Sequence, residues 1–238
     1  MAAHPVAIVV VAGGPGARLG ADLPKALVEL GGKPILLHCL TAIDAATTSD
    51  SGRHGPVEVV VVAPASHTRE VGELVGRRSW RWPARVVAGG EERQDSVRAG
   101  LRTCPEAATV VIHDTARPFL PARVLRDVLE ATTNCGAAIA ALPAIDTVKL
   151  VDGNRRIEST PPRDRVWLAQ TPQAFRRELL VSAHRAAPSN TATDDAALVE
   201  AYGQPVQVVE GDPILRKITT KDDLRWAEWL LDSGQWPR

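Results

Sequence analysis

At 238 residues, with 28 basic and 28 acidic side chains cancelling to a formal net charge of zero, the chain is long enough to bury one sizeable core. It carries no long basic stripe of the kind that tracks nucleic acid, and its most apolar stretch, Val6 to Ala12, is too short to span a membrane and lacks the flanks of a leader. The three cysteines, Cys39, Cys104 and Cys135, stand far apart without metal-ligand spacing, which argues against a disulfide framework or a zinc site and fits a reducing, cytoplasmic setting.

In chain order, Val6 to Ala12 reads as a strand buried on both faces, since it is apolar without alternation. It drops into Gly13, Gly14 and Gly16, followed by Arg18 and a Pro24-Lys25 pair. A phosphate loop of the Gly-Lys-Ser/Thr type is ruled out, because Lys25 precedes Ala26. A dinucleotide fingerprint is opposed by Leu19 at the third glycine position and by Pro24, which breaks the helix that should follow. What remains is a long loop whose backbone N–H groups wrap a triphosphate, with Arg18 and Lys25 aimed at the reacting phosphorus, an arrangement suited to phosphoryl or nucleotidyl transfer.

Further buried strands are expected at "VEVVVVAP" from Val57, "ARVVAGG" from Ala84, "ATVVIHD" from Ala108, "GAAIAALP" from Gly136 and "VQVVEGD" from Val206. Helices are expected from Pro34, Ser66, Arg93, Pro121, Arg176 and Thr220, several opening with a proline or with Ser/Thr and a nearby acid, and Asp194-Asp195 read as a further helix start. "DAATTSDSGRHGP" from Asp44 reads as a polar loop. The alternation predicts a doubly wound α/β sheet, mostly parallel, in a single domain over 1–238, with ligands beyond the carboxyl ends of the strands. One segment breaks the rhythm. Between Ala144 and Phe175 an Asp152-Gly153 turn separates two extended runs where a crossover helix was due, which predicts an inserted β-hairpin arm at about 143–166, a lid or a dimerisation element. Trp226 and Trp229, three apart on the last helix, read as core packing, and His113 as a strand-end hydrogen-bonding residue.

The loop pattern A-G-G-x-G-x-R-L-G with a later Pro-Lys is similar to that of sugar-phosphate nucleotidylyltransferases. "GGEERQDSV", "HDTARPF", "DTVK", "QTPQAF", "TDDAALVE" and "GDPILRKIT" follow it in an order that resembles the 2-C-methyl-D-erythritol 4-phosphate cytidylyltransferase family along essentially the whole chain. The resemblance implies a nucleotidyltransferase fold related to the Rossmann type and transfer of CMP from Mg2+-bound CTP to a sugar-alcohol phosphate, with release of pyrophosphate. It assigns Arg18, Lys25, Arg163 and Lys217 to catalysis, and Ala12, Gly13, Gly14, Gly16, Gly89, Gly90, Glu91 and Ser96 to CTP. It assigns Asp114, Arg117, Thr147 and Thr171 to the acceptor substrate, and Asp114 and Asp212 to the metal. It further implies a homodimer in which Arg163 reaches the partner's site from the arm; the charge balance and the short apolar stretch lead to no expectation of a nucleic-acid or membrane partner.

Glu91 stands where the family often has Asp, and Thr115 where it usually has Ala. Arg216 replaces an apolar residue, and the sequence leaves open whether it faces the pocket or solvent. Ribitol-5-phosphate cytidylyltransferases share the glycine loop, the HD-x-x-RP motif and the terminal lysine, so the acceptor polyol stays open between the two. A non-catalytic nucleotide-binding module would predict decay of Arg18, Lys25 or Lys217, and all three are present.

Overall fold

The computed structural model describes residues 5–14, 16–49, 57–188 and 192–236. In chain order the elements are β1 (Val6–Val11), β2 (Glu29–Leu30), β3 (Lys33–Pro34), α1 (Ile35–Ser49), β4 (Val57–Ala63), α2 (Thr68–Gly76), β5 (Ala84–Ala88), α3 (Arg93–Thr103) and β6 (Thr109–Asp114). The second half holds α4 (Ala122–Cys135), β7 (Ala137–Pro143), β8 (Leu150–Val151), β9 (Ile157–Ser159), β10 (Trp167–Arg176), α5 (Arg177–Ala186), α6 (Asp195–Ala201), β11 (Gln207–Glu210) and α7 (Lys221–Asp232).

Seven strands form one sheet in the order β11-β7-β10-β6-β1-β4-β5. Its pairs are parallel except where β10 lies antiparallel between β6 and β7. The apolar runs of the inner strands lack alternation because both faces are covered, whereas β5 and β11, also expected to be buried, are the edge strands and stay largely exposed. Ile8 and Val10 of β1 pack with Leu40 of α1, Val71 of α2 and Val128 of α4, whereas Ala7 and Val9 pack with Val97 of α3, Leu180 of α5 and Leu198 of α6. Each such buried Val, Leu or Ile side chain contributes roughly 1.5–3 kcal/mol. A third cluster, built on Phe119, Leu30 and Leu230, includes Leu19 and so fastens the glycine-rich loop to α7. Helix α7 opens on a reciprocal cap, Thr220 with Asp223.

The chain runs from β1 through β4 to β5 on one side of the sheet, then returns to β6 on the other side of β1. Such a reversal opens a crevice at the carboxyl ends of two adjacent parallel strands. Val11 at the end of β1 stands in register with Asp114 at the end of β6, which sets the glycine loop beside that carboxylate.

Beyond the two edge strands, three expectations need correction. Helix α1 continues to Ser49, through the first part of the segment read as a polar loop; the rest of that segment, 50–56, lies outside the described residues. "WLAQTPQAF", read together with the hairpin, is the ten-residue strand β10 inside the sheet. Because it returns antiparallel to β7, it needs no crossover helix, and the arm is its connection. Within the arm, β8 and β9 pair around a turn in which Asp152 Oδ1 accepts the N–H groups of Asn154 and Arg156 at 2.9 and 2.8 Å. Finally, Trp226 packs edge-on to Phe119 at 6.2 Å, but Trp229 is 55% exposed and does not join the core.

Candidate active site

The crevice between β1 and β6 holds a cavity of about 270 Å³. Its floor comes from the first loop: Ala12, whose N–H donates to Val62 O at 2.9 Å, and Gly13 and Gly14, which follow as β1 ends. Lys25 returns to this floor because its own N–H donates to Gly14 O at 3.0 Å, closing the loop on itself. Gly16 makes that closure possible, since a side chain there would collide with Leu23 O. The opposite wall is the start of α3. A Cβ on Gly89 would fall 2.5 Å from Ser96 Oγ, and one on Gly90 would meet Asp95, so these glycines let the first turn of α3 sit against the end of β5. Gly90, Glu91 and Ser96 line the cavity.

Its charged end is an ion ladder. Asp114 Oδ2 accepts from Lys217 Nζ at 2.7 Å, and Asp114 Oδ1 lies 3.5 Å from Arg93. Arg93 donates through Nη1 to Asp195 Oδ2 at 2.7 Å, and Asp195 Oδ1 accepts from His184 Nε2 at 2.9 Å. Burial opposes ionisation of Asp114, but the Arg93 guanidinium and then Lys217 outweigh it and hold the carboxyl well below the usual carboxylate range. Lys217 is carried in by a loop whose Ile218 N–H docks on Ala116 O at 2.8 Å.

Lys25 is 7% exposed, and its pKa is lowered from 10.5 to about 8, first by burial and then by the nearby charges of Lys217 and Arg18. A desolvated cation pressed by two others is poised to accept a polyanion.

Beneath Asp114 lies a fixed proton network. Burial pushes His113 down to about 4, so the imidazole is neutral at physiological pH. Its Nε2 lies 3.0 Å from Arg117 O, which can only accept, so Nε2 carries the proton and Nδ1 accepts from Thr171 Oγ1 at 3.1 Å. Thr171 Oγ1 in turn accepts the Asp114 N–H at 3.0 Å. This is the strand-end bonding expected of His113. It also commits the one proton of Thr171, which orients Asp114 and has no donor left for a substrate.

Several residues named from sequence stand away from the cavity. Arg18 is exposed on the loop and reaches the site through its field on Lys25. Arg117 donates to Leu215 O at 2.6 Å and so braces the loop that delivers Lys217. Asp212 is bound by Arg123 at 2.6 Å and accepts the Ile214 N–H at 2.9 Å, which makes it a cap for the turn before Lys217. Arg163 donates to Ile145 O at 2.9 Å and Thr147 is exposed; both sit on the arm, and no residue of 144–166 lines the cavity. Arg216 turns away from the pocket, pairing with Asp223 at 2.7 Å beside the Trp226 ring. Asp194 is the α6 cap, accepting the Ala197 N–H at 3.0 Å.

Sequence reasoning missed Arg93 and Asp195. Arg93 lines the cavity, and Asp195, taken for a helix-start acid, is 1% exposed and bridges Arg93 to His184. The available signal was the doubled Asp194-Asp195, where one cap suffices.

The family model for 2-C-methyl-D-erythritol 4-phosphate cytidylyltransferase matches residues 6–233. The chain is 40% identical to the protein of that name from Halalkalibacterium halodurans, over 94% of this chain and 96% of the other. It is 43% identical to the one from Syntrophus aciditrophicus, over 95% of each. Among solved structures, the 2-C-methyl-D-erythritol 4-phosphate cytidylyltransferase from Thermus thermophilus aligns with a TM-score of 0.71 at 34% identity, covering 94% of this chain and 98% of that one. The 4-diphosphocytidyl-2C-methyl-D-erythritol synthase from Anaerococcus prevotii aligns with a TM-score of 0.81 at 27% identity, over 95% and 98%. Matched along nearly its whole length in sequence and in fold, the chain belongs to the 2-C-methyl-D-erythritol 4-phosphate cytidylyltransferase family.

Proposed function

We propose that this cavity binds CTP and transfers CMP to the phosphate of 2-C-methyl-D-erythritol 4-phosphate, giving 4-diphosphocytidyl-2-C-methyl-D-erythritol and pyrophosphate. The observation that carries this reading is the convergence of Lys25 and Lys217 on one cavity floored by the glycine loop. An oxygen of the acceptor phosphate attacks the α-phosphorus; the new P–O bond forms as the bond to the β-phosphate oxygen breaks, and the electron pair leaves with pyrophosphate. The attacking phosphate is already anionic, so no general base is needed, in keeping with the neutral, fully bonded His113. Lys25 and Lys217 offset the charge that builds on the non-bridging oxygens. The backbone of Gly13 and Gly14 and the Ser96 hydroxyl hold and orient the nucleotide.

The donor set suits Mg2+, a hard cation that takes one or two carboxylates and fills its remaining positions from phosphates and water. Asp114 is the buried carboxylate of the lining, and Asp212, held by Arg123, is not part of it. When bound, the ion neutralises charge on the triphosphate; Asp114 would hold it from the protein side.

The arm supports a homodimer. Ile145, Leu150, Val151, Ile157 and Leu168 are all at least half exposed there and at the start of β10, which makes an apolar surface that calls for a partner. A second copy would cover it and bring Arg163 and Thr147 to the neighbouring cavity. Ile145→Lys with Ile157→Lys is expected to convert a dimer to monomers with an unchanged circular dichroism spectrum, as read by light scattering. A cytoplasmic setting agrees with the free thiols of Cys39, Cys104 and Cys135. No helix among the described residues is long and apolar enough to cross a membrane.

Lys25 also predicts a pH dependence. Its pKa is lowered to about 8, so the ammonium is charged below that value and neutral above it. Because kcat/KM reports the free enzyme, kcat/KM for CTP should fall as pH rises through about 8. Lys25→Arg should remove that limb, since the guanidinium stays charged.

Labelled CTP tests the reaction itself. With 32P at the α position, label should move into the methylerythritol product; with 32P at γ, it should appear in pyrophosphate. Label released as CMP without incorporation would reduce the activity to hydrolysis and overturn the proposal.

A further inference from the structure

A second cavity, of about 400 Å³, opens between α3 and α5, away from the nucleotide loop. Five of the seven residues that line it are basic, namely Arg98, Arg102, Arg177, His184 and Arg185, and the other two are Leu101 and Val181. Among the described residues no carboxylate lines it, in a chain whose charges balance overall.

The groups differ in how far they are already committed. Arg98 is taken up by Asp95 at 3.1 Å and by the carbonyls of His184 and Ala187 at 2.9 and 3.2 Å. Arg177 donates through Nη2 to Leu101 O at 3.3 Å, but its buried Nε has no hydrogen-bond partner among the described residues. His184 is 3% exposed; its Nε2 is held by Asp195, while the buried Nδ1 has no hydrogen-bond partner among the described residues. Arg102 and Arg185 are exposed, and neither has a carboxylate within 4.0 Å among the described residues. Like charges gathered on one concave surface raise its potential and concentrate counter-ions there. Guanidinium groups are the side chains best shaped to take phosphate oxygens in pairs.

We propose that the α3–α5 cavity is a second binding site, for a small ligand bearing a phosphate or diphosphate group with at least two negative charges. Arg102, Arg177 and Arg185 supply the charge, and Leu101 and Val181 supply a small apolar floor. The site adjoins the outer end of the ladder that runs from His184 through Asp195 and Arg93 to Asp114, so its His184 wall is two contacts from Arg93 and three from Asp114 in the catalytic cavity.

The test is isothermal titration of the full chain with inorganic pyrophosphate in metal-free buffer at low ionic strength, on two double variants beside the parent. Lys25→Met with Lys217→Met removes both lysines from the catalytic cavity, leaving there only Arg93, which Asp114 and Asp195 hold, and should still bind pyrophosphate at the α3–α5 site. Arg102→Ser with Arg185→Ser should weaken that binding by ~10-fold or more, about 1.4 kcal/mol, while turnover of CTP stays at the parental level. Arg102 and Arg185 are exposed, so folding is expected to be unaffected, and an unchanged melting temperature without ligand checks this. The proposal is overturned if the Lys25/Lys217 variant binds no pyrophosphate, or if the Arg102/Arg185 variant keeps the parental stoichiometry and affinities. A parent protein without CTP turnover, whose α3–α5 site still binds pyrophosphate, would contradict the catalytic reading and leave this site standing.

Discussion

Lys25→Ala should lower kcat by about 10²- to 10³-fold, the cost of deleting a preorganised charge from the region where a transition state gains negative charge. The effect is large because water cannot stand in for the ammonium: Lys25 is 7% exposed in the crevice, and its place is fixed by the loop closure onto Gly14. That closure uses the backbone and survives the substitution. The same variant should not lose stability in the absence of nucleotide. Below pH about 8 the folded protein carries a charge that burial, Lys217 and Arg18 all disfavour, whereas the unfolded chain holds the same proton at no such cost. Removing the side chain removes that cost, so the variant should melt at or above the parental temperature at neutral pH. The difference should shrink as pH rises through about 8 towards 10.5, where the parental lysine sheds its proton in the folded state first. Steady-state turnover and calorimetry on the same preparation check both halves; a variant that lost activity and stability together would show Lys25 to be a structural residue.

Asp114→Asn should do the reverse, destabilising the free protein by about 3 kcal/mol, the low end for removing one partner of a buried ion pair, since Lys217 is half exposed. At ~2–4 °C per kcal/mol for a chain of this size, the melting temperature should fall by roughly 6–12 °C. The carboxylate is what keeps Lys217, Arg93 and Lys25 together, and an amide leaves those cations facing one another. A polyanion can replace it, so millimolar pyrophosphate should recover more stability in the variant than in the parent. In the parent, the contribution is present above the ordinary carboxylate pKa of 3.8 and is lost as pH falls towards the depressed folded value. An Asp114→Asn protein as stable as the parent would mean that the ladder does not carry the site.

The parts of the fold legible in sequence were those written in local pattern. Strands β1, β4, β6 and β7 are apolar runs because helices cover both faces, and helices such as α7 announce themselves by caps. Strand β10 was obscured because its centre, Gln170-Thr171-Pro172-Gln173, is polar and its pairing with β7 shifts register there, so it has neither the apolar run nor the alternation that marks a strand. The cavity lining was legible at Lys25, which follows the glycines, and at Asp114, which ends β6; Lys217, in the loop after β11, was legible only through the family resemblance. Arg93 and Asp195 were not, because they are 102 positions apart in sequence and meet only when α3 and α6 pack on the same face of the sheet. Thr171 looked like a substrate donor until His113 claimed its proton, and Arg216 like a possible pocket charge until Asp223 took it. In each case the residue type was visible and its partner was not.

The most direct test of the central claim is pyrophosphate release by the purified protein from CTP and Mg2+, with 2-C-methyl-D-erythritol 4-phosphate compared against ribitol 5-phosphate. Release with the methylerythritol phosphate alone is the predicted result. Release with ribitol 5-phosphate alone would keep the chemistry and contradict the acceptor, and no release with either would contradict the assignment of the Lys25, Asp114 and Lys217 cavity to cytidylyl transfer.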